Sequence, residues 1–209
     1  MDASSDNHLI RDEAALTAVY GEPSPASIAK EVDYLHPHYL AMIAASPFVA
    51  MATCGPEGLD VSPRGDPAGF VSVADERTLL MPDRRGNNRT DSLRNIIRDP
   101  RVALLFLIPG VGETLRVNGR AAISVAPDLL ARFEFRGTLP RSVIVVHVET
   151  VYFQCPKALV RSELWNPEKH ISRKALPSTG TILADITAGT VGGEQYDREY
   201  PDRLRKTLY

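Results

Sequence analysis

The sequence predicts a mainly β chain with flanking helices, an α+β fold whose antiparallel strands close, or nearly close, into a barrel. Three observations predict it. The periodicity changes from helical to strand-like at Phe48, the strand-like runs are joined mostly by short turns, and a single short helix interrupts them. At least six such runs are present, and closure would remove the sheet edges that invite aggregation. The 209 residues suit one generous domain or a core domain with extensions. We divide them into an N-terminal helical extension (1–46), the barrel (47–165), and a C-terminal extension (166–209) that packs on the barrel or on a partner.

The elements follow in order. Leu9 to Tyr20 and Ser27 to Ala45 read as helices, the second with Ile28, Val32, Leu35, Tyr39, Met42 and Ile43 at helical spacing and with Pro37 breaking or kinking it. "FVAMATCG", the turn "PEG" and "LDVSPRG" form one hairpin; "GFVSVA" and "TLLMP" flank "DER" in a second. A short helix spans about Asn88 to Arg98, with Leu93, Ile96 and Ile97 on one face. "RVALLFLIP", bounded by Pro100 and Pro109, reads as a strand buried on both sides. "ETLRVNGRAAISV" is a long strand in which Gly119 permits a bulge or bend. A helix about Pro127 to Phe133, the strand "RSVIVVHVETVYFQC" and the short helix "PKALVRSEL" complete the core, and a charged helix is expected near "YDREYPDRLRKTLY".

Composition excludes several function classes. The chain is 44% hydrophobic and 24% charged with a net charge of −2, which argues for neither nucleic acid nor an anionic membrane as partner. The acidic start "MDASSDNHLI" has no secretory character, and "YLAMIAASPFVAMATC" is too short, and too interrupted by Pro47, to span a membrane. Cys54 and Cys155 match no metal spacing and are expected to be buried thiols, in keeping with a cytoplasmic location. His36 and His38 in "HPH" lack a third ligand nearby and read as a helix-end pair; no metal site is expected. "GVGETL" precedes a strand and lacks the third glycine of a dinucleotide loop.

The stretch "RRGNNRTDSLRNI" gathers donors where a helix is about to start. Gly86 frees the backbone to turn, and Asn87, Asn88 or Thr90 can cap the helix. The first-turn N–H groups, with Arg89 beside them and the Ser92 hydroxyl near, then form a phosphate receptor. A capped helix with solvated arginines accounts for the same residues. No Gly-Lys-Ser/Thr follows, so this is not a nucleotide P-loop. "SPRGDPAGFV" adds Ser62 and Arg64 at the end of the first hairpin, with Gly65 and Gly69 allowing close backbone approach.

Taken in order, S-P-R-G-D-P, a strand, P-D-R-R-G-N-N-R, a helix, D-P-R-V-A-L-L-F and L-R-V-N-G-R-A resemble the pyridoxamine 5'-phosphate oxidase-like family of FMN-binding split barrels. The resemblance runs from Phe48 to about Trp165. It implies a six-stranded Greek-key split barrel, a homodimer, and FMN in a groove at the dimer interface. It further implies that Leu80, Met81, Pro82 and Asp83 lie along the flavin. Asn87, Asn88, Arg89 and Ser92 would hold the phosphate together with Arg64, while Thr114 and Arg116 approach from across the dimer. Asp83, acidic beside an anion site, is expected to cap or to pair with an arginine. "FQCPKALVRSELW" resembles a flavoprotein branch of the family more than the vitamin B6 oxidases, and Lys157, Arg161 and Trp165 would frame the outer side of the flavin, Trp165 alternatively serving as an interface anchor. The C-terminal arginine–histidine substrate motif of the vitamin B6 oxidases is missing from "TILADITAGTVGGEQYDREY". The implied function is an FMN-dependent oxidoreductase acting on a small organic substrate, with no proton-transferring catalyst named. A deazaflavin (F420) reductase and a flavin-binding sensor or carrier without turnover are the alternatives.

Overall fold

A computed structural model describes residues 8–209; the first seven residues of the expected N-terminal extension, and with them most of its acidic start, lie outside the described residues. The chain forms two compact units, one ending at Glu31 and one spanning Val32–Tyr209.

The first unit holds two short helices. α1 (Glu13–Tyr20) starts later than its apolar pattern suggests, because the Asp12 carboxylate accepts from Ala15 N at 2.8 Å and fixes the N-cap. It stops at Gly21, whose φ of 71° a side chain would strain. α2 (Pro25–Ala29) is opened by Ser24. Neither helix buries a residue. The long helix expected from Ser27 to Ala45 is instead two helices, since Pro37 begins a new one: α3 (Pro37–Ala45), which belongs to the second unit.

In that unit the strands are β1 (Phe48–Gly55), β2 (Gly58–Gly65), β3 (Ser72–Asp75), β4 (Thr78–Asp83), β5 (Arg101–Leu107), β6 (Thr114–Ser124) and β7 (Ser142–Gln154). α4 (Asp91–Arg98) follows β4, α5 (Pro127–Arg132) follows β6, and α6 (Lys157–Ser162), α7 (Thr179–Ile186) and α8 (Gly193–Lys206) follow β7. All seven strands make one sheet in the order β2-β1-β5-β6-β7-β4-β3, every pairing antiparallel. At least six strands were expected and the resemblance implies six; there are seven, the run "GFVSVA" supplying the four-residue β3, which pairs with β4 as expected of the second hairpin. β2 and β3 are the edges of this sheet.

Alternation builds the core. Val49 and Met51, Leu79 and Met81, Leu115 and Val117, and Ile144, Val146 and Val148 all point inward and are at most 2% exposed. β5 corrects the expectation of a strand buried on both sides: Val102, Leu104 and Phe106 are buried, whereas Ala103, Leu105 and Leu107 are half-buried on the outer face. An apolar run alone does not show how many faces are covered; the burial alternates residue by residue. The register between β6 and β7 shifts at Asn118/Gly119, the expected bulge, and a Cβ on Gly119 would sit 2.1 Å from the His147 carbonyl oxygen.

α7 was not anticipated, whereas α8 lies where the charged helix was expected. Asp197 of α8 ties the two together, accepting from Gly180 N at 2.8 Å and from the Ser178 hydroxyl. These bonds, Ser178 first, hold its carboxyl below the usual range. No described helix is long and apolar enough to cross a membrane.

Candidate functional site

β2, α4 and the two strand ends of the β4–β7 pair enclose a cleft of about 490 Å³, within the span of roughly 300–1,000 Å³ common for small-molecule sites. Alternation along β2 points Asp60, Ser62 and Arg64 to the same side, toward α4. β4 delivers Asp83 at its last position, and the register Asp83↔Ser142 brings Arg141 and Ser142 alongside. The loop 84–90 and the first turn of α4 form the remaining wall.

The backbone of that wall is strained. Asn88 and Thr90 have φ values of 63° and 57°, in the left-handed region; for a β-branched threonine this is a true outlier, worth about 1–3 kcal/mol. Thr90 occupies the N-cap of α4 without making a side-chain cap bond. The expected cap is therefore missing. Asn87 Oδ1 accepts from Arg89 N at 3.1 Å, and Asn88 Oδ1 accepts from Arg141 Nη1 at 2.9 Å. Because Asn88 and Thr90 take left-handed backbones, the helix starts at Asp91 and not at Asn88.

Polar groups in the cleft are largely engaged with one another. Arg64 pairs with Asp83, as expected for an acid beside an anion site, yet the Arg64 Nε is buried without a hydrogen-bond partner. Arg89 is 77% exposed and its Nε donates to Asp91 at 2.8 Å. Ser92, 3% exposed, donates to Asp60 Oδ2 at 2.6 Å and is hydrogen-bonded to Ser62. Arg141 alone among the four lining arginines is bonded to a neutral amide, with no carboxylate partner among the described residues. The cleft thus carries far less free positive charge than its arginines suggest.

Arg84 lines the same cleft but looks the other way. Its Nε donates to Asp66 at 2.6 Å and its Nη1 to the Phe133 carbonyl at 3.0 Å. Its guanidinium lies 5.8 Å from the Phe135 ring centre and 5.5 Å from that of Tyr209. The Tyr209 hydroxyl donates to the other oxygen of Asp66 at 2.9 Å.

The cleft brings together six of the residues assigned to the cofactor from the sequence, Arg64, Asp83, Asn87, Asn88, Arg89 and Ser92, along with Ser62, Gly86 and Thr90 of the same two stretches. Leu80 and Met81 are buried in the core, Leu80 against Phe133 and Val143, and Pro82 is buried beside them. Thr114 is buried on β6. Arg116 lies over the Tyr152 ring at 5.2 Å, Lys157 and Arg161 stand exposed on α6, and Trp165 donates from Nε1 to the Val111 carbonyl at 2.8 Å. None of these lines the cleft of its own chain. Sequence reasoning missed Asp60 and Arg141. The alternation of "LDVSPRG" would have placed Asp60 beside Ser62 and Arg64, whereas Arg141 depends on a strand pairing that no local pattern announces. Of the remaining candidates, His36 caps α3 through Nδ1, which accepts from His38 N at 3.2 Å. Both cysteines are free, but neither is buried: Cys54 is half-buried and Cys155 exposed.

Similar folds occur among solved structures. HupZ of Group A Streptococcus is 18% identical over 53% of this chain and 86% of its own, with a TM-score of 0.43. General Stress Protein 26 of Bacillus anthracis is 15% identical over 55% and 88%, with a TM-score of 0.43. An FMN-binding protein of Syntrophomonas wolfei is 12% identical over 54% and 80%, with a TM-score of 0.42. No curated protein matches the sequence. The family described as pyridoxamine 5'-phosphate oxidase matches residues 35–155, more than half of the chain. With a seven-stranded antiparallel sheet consistent with the split-barrel fold of that family, the chain belongs to it.

Proposed function

We propose that this protein is an FMN-binding oxidoreductase acting on a small organic substrate, and that the cleft between β2 and α4 holds the FMN phosphate. The observation that carries this reading is the buried Nε of Arg64, which has no partner in a cleft where the helix start is uncapped. A buried donor left unsatisfied costs about 1–3 kcal/mol, and an anion would relieve it. Arg64 and Arg141, with Arg89 outside and the first-turn N–H groups of α4, would hold the phosphate. When bound, the flavin supplies the redox chemistry, and the residues of the chain bind and orient it.

The same reading makes the protein a homodimer. Small barrels are filled by their own side chains, so a flat ring has to lie outside and needs a cover. Leu59 and Val61 on the edge strand β2 are 84% and 66% exposed. They adjoin the half-buried outer residues Ala50, Ala52, Ala103 and Leu105, an apolar face that supports a second copy as that cover. Thr114, Arg116, Lys157, Arg161 and Trp165 are then assigned to the flavin of the partner.

Titration with FMN and with riboflavin tests the assignment. Two charged donors at about 1.5 kcal/mol or more each should separate the two ligands by at least about a hundredfold. Equal affinities would refute it. Sedimentation at low micromolar concentration should show a dimer, and a monomer that binds FMN stoichiometrically would sink the shared site.

A further inference from the structure

Asp60, Asp83 and Asp91 are the aspartates that line the cleft, and they are held differently. Asp83 is paired with Arg64 and Asp91 with Arg89. Among the described residues Asp60 forms no ion pair, and its side-chain partners are two serines. The Ser92 hydroxyl donates to Asp60 Oδ2 at 2.6 Å. The Ser62 hydroxyl lies 3.3 Å from the same oxygen and is also hydrogen-bonded to Ser92. Each serine has one proton to donate. The Ser92 proton goes to the carboxylate, and the Ser62 proton stays inside the cluster whether it points at Asp60 or at Ser92. Both contacts fall on Oδ2, and no described residue donates to Oδ1. Toward a ligand the cluster therefore offers acceptors alone.

The rest of the cleft offers the reverse. Arg64 Nε has no partner, the Arg141 guanidinium is bonded to a neutral amide oxygen, and the start of α4 has no side-chain cap. Along β2, Ser62 lies between Arg64 and Asp60, about 7 Å of strand from each. The oxygens of a phosphate dianion only accept hydrogen bonds, so it belongs on the donor side. Whatever part of the same ligand meets the Asp60 cluster has to donate.

We infer that Asp60, held by Ser62 and Ser92, is the specificity-determining residue for the polyhydroxyl chain that joins the phosphate of FMN to its ring, the chain hydroxyls donating to the Asp60 carboxylate. This inference rests on the reading of the cleft as a phosphate site. A hydroxyl that donates to an ionised carboxylate makes a charge-assisted bond, about twice as strong as a neutral one. An aliphatic chain in the same place would shield the carboxylate from water and give it no donor in return. The cleft is thereby selective for a polyol phosphate over an alkyl phosphate.

Dissociation constants of the full chain for FMN, for riboflavin and for a phosphopentyl analogue of FMN, which keeps the ring and the phosphate but lacks the chain hydroxyls, test this. Any repulsion between Asp60 and the phosphate acts on both phosphate ligands and cancels from their ratio. Wild type should bind FMN at least about tenfold more tightly than the phosphopentyl analogue, the worth of one hydrogen bond to a charged group. Asp60→Asn should narrow that ratio by at least about threefold, since an amide oxygen accepts a neutral bond only. The preference for FMN over riboflavin should survive in the variant. A purely structural role for Asp60 would weaken both phosphate ligands alike and leave their ratio at the wild-type value. Equal binding of FMN and the phosphopentyl analogue by wild type overturns the inference without recourse to any variant, as does an Asp60→Asn protein that keeps the wild-type ratio. If FMN and riboflavin bind equally, the phosphate reading has failed and the inference with it; if FMN is preferred to riboflavin but not to the phosphopentyl analogue, only the role of Asp60 has.

Discussion

Arg64 and Arg84 both line one cleft, each paired with an aspartate from the other's neighbourhood, and they are satisfied to different degrees. Arg84 is enclosed: the Asp66 carboxylate, 3% exposed in its side chain, accepts from its Nε, the Phe133 carbonyl accepts from Nη1, and two neighbouring aromatic rings lie against the guanidinium. Arg64 has Asp83 and a buried Nε with nothing to donate to. Both side chains are mostly buried, at 16% and 19% exposure, so burial does not distinguish them. What does is the completeness of the hydrogen-bond set. A closed set holds a fold together, and an open one beside a strained loop is arranged for a ligand.

The largest effect should come from breaking the closed centre. Arg84→Ala leaves Asp66 buried without its cation, a change that typically costs about 3–5 kcal/mol. The lower end is expected, because the Tyr209 hydroxyl still donates to that carboxylate. At about 2–4 °C per kcal/mol for a chain of this size, the melting temperature should drop by roughly 10 °C, while the preference for FMN over riboflavin survives. A stable Arg84→Ala protein that no longer distinguishes the two would exchange the roles of the two arginines.

The open centre is best probed without stranding a charge. Arg64→Gln combined with Asp83→Asn removes the pair together, and neutral replacement of both partners is far milder for the fold than removal of one. Calorimetry of the apo-protein should show a small change. FMN affinity should fall by about tenfold to a hundredfold, the loss of one charge-assisted bond of about 1.5–3 kcal/mol, with riboflavin unaffected. A large stability loss with unchanged FMN binding would make Arg64 as structural as Arg84.

This contrast was only half legible in the sequence. Strands β1 to β7 follow from alternation and turn residues, because a half-buried strand writes its two faces into every second position. That Asp83 would cap or pair with an arginine was also anticipated, from the sign of a charge beside an anion site, though not which arginine. The Arg84 centre was not: it joins Asp66, Phe133, Phe135 and Tyr209, residues separated by up to 143 positions and brought together only by the fold. Arg141 was missed for the same reason, since it reaches the cleft through the pairing of β4 with β7. The start of α4 was misplaced because polar residues before a helix suggest a cap, and nothing local reveals that Asn88 and Thr90 adopt left-handed backbones instead.

Arg89 sharpens the comparison at its exposed limit. It is 77% exposed and bonded to Asp91 only two residues away, so as a surface pair it contributes about 0–1 kcal/mol to the fold. Arg89→Ala should leave the melting curve almost unchanged. FMN binding should weaken by about threefold to tenfold, less at high salt, since an exposed charge is screened. Loss of stability without loss of affinity would return Arg89 to the fold.

The smallest effect tests how closed the Arg84 centre is. Tyr209→Phe keeps the ring beside Phe135, 4.7 Å between centres, and removes only the hydroxyl that donates to Asp66. One hydrogen bond of this kind is worth about 0.5–1.5 kcal/mol net. Burial first, then the hydrogen bond to Asp66 and the charge of that carboxylate, raise the Tyr209 phenol above its ordinary value. The folded protein therefore holds the phenolic proton longer than the unfolded chain does. The stability this provides is fully present below the unfolded value of about 10 and is lost as pH rises through the higher folded value. Wild type should exceed Tyr209→Phe in stability by a constant margin from neutrality to about pH 9, and the margin should shrink above about pH 10. Chemical denaturation of both proteins across that range is the measurement. A margin that grows with pH, or that is absent at neutrality, would mean that Tyr209 does not close the centre and that Arg84 relies on Asp66 and Phe133 alone.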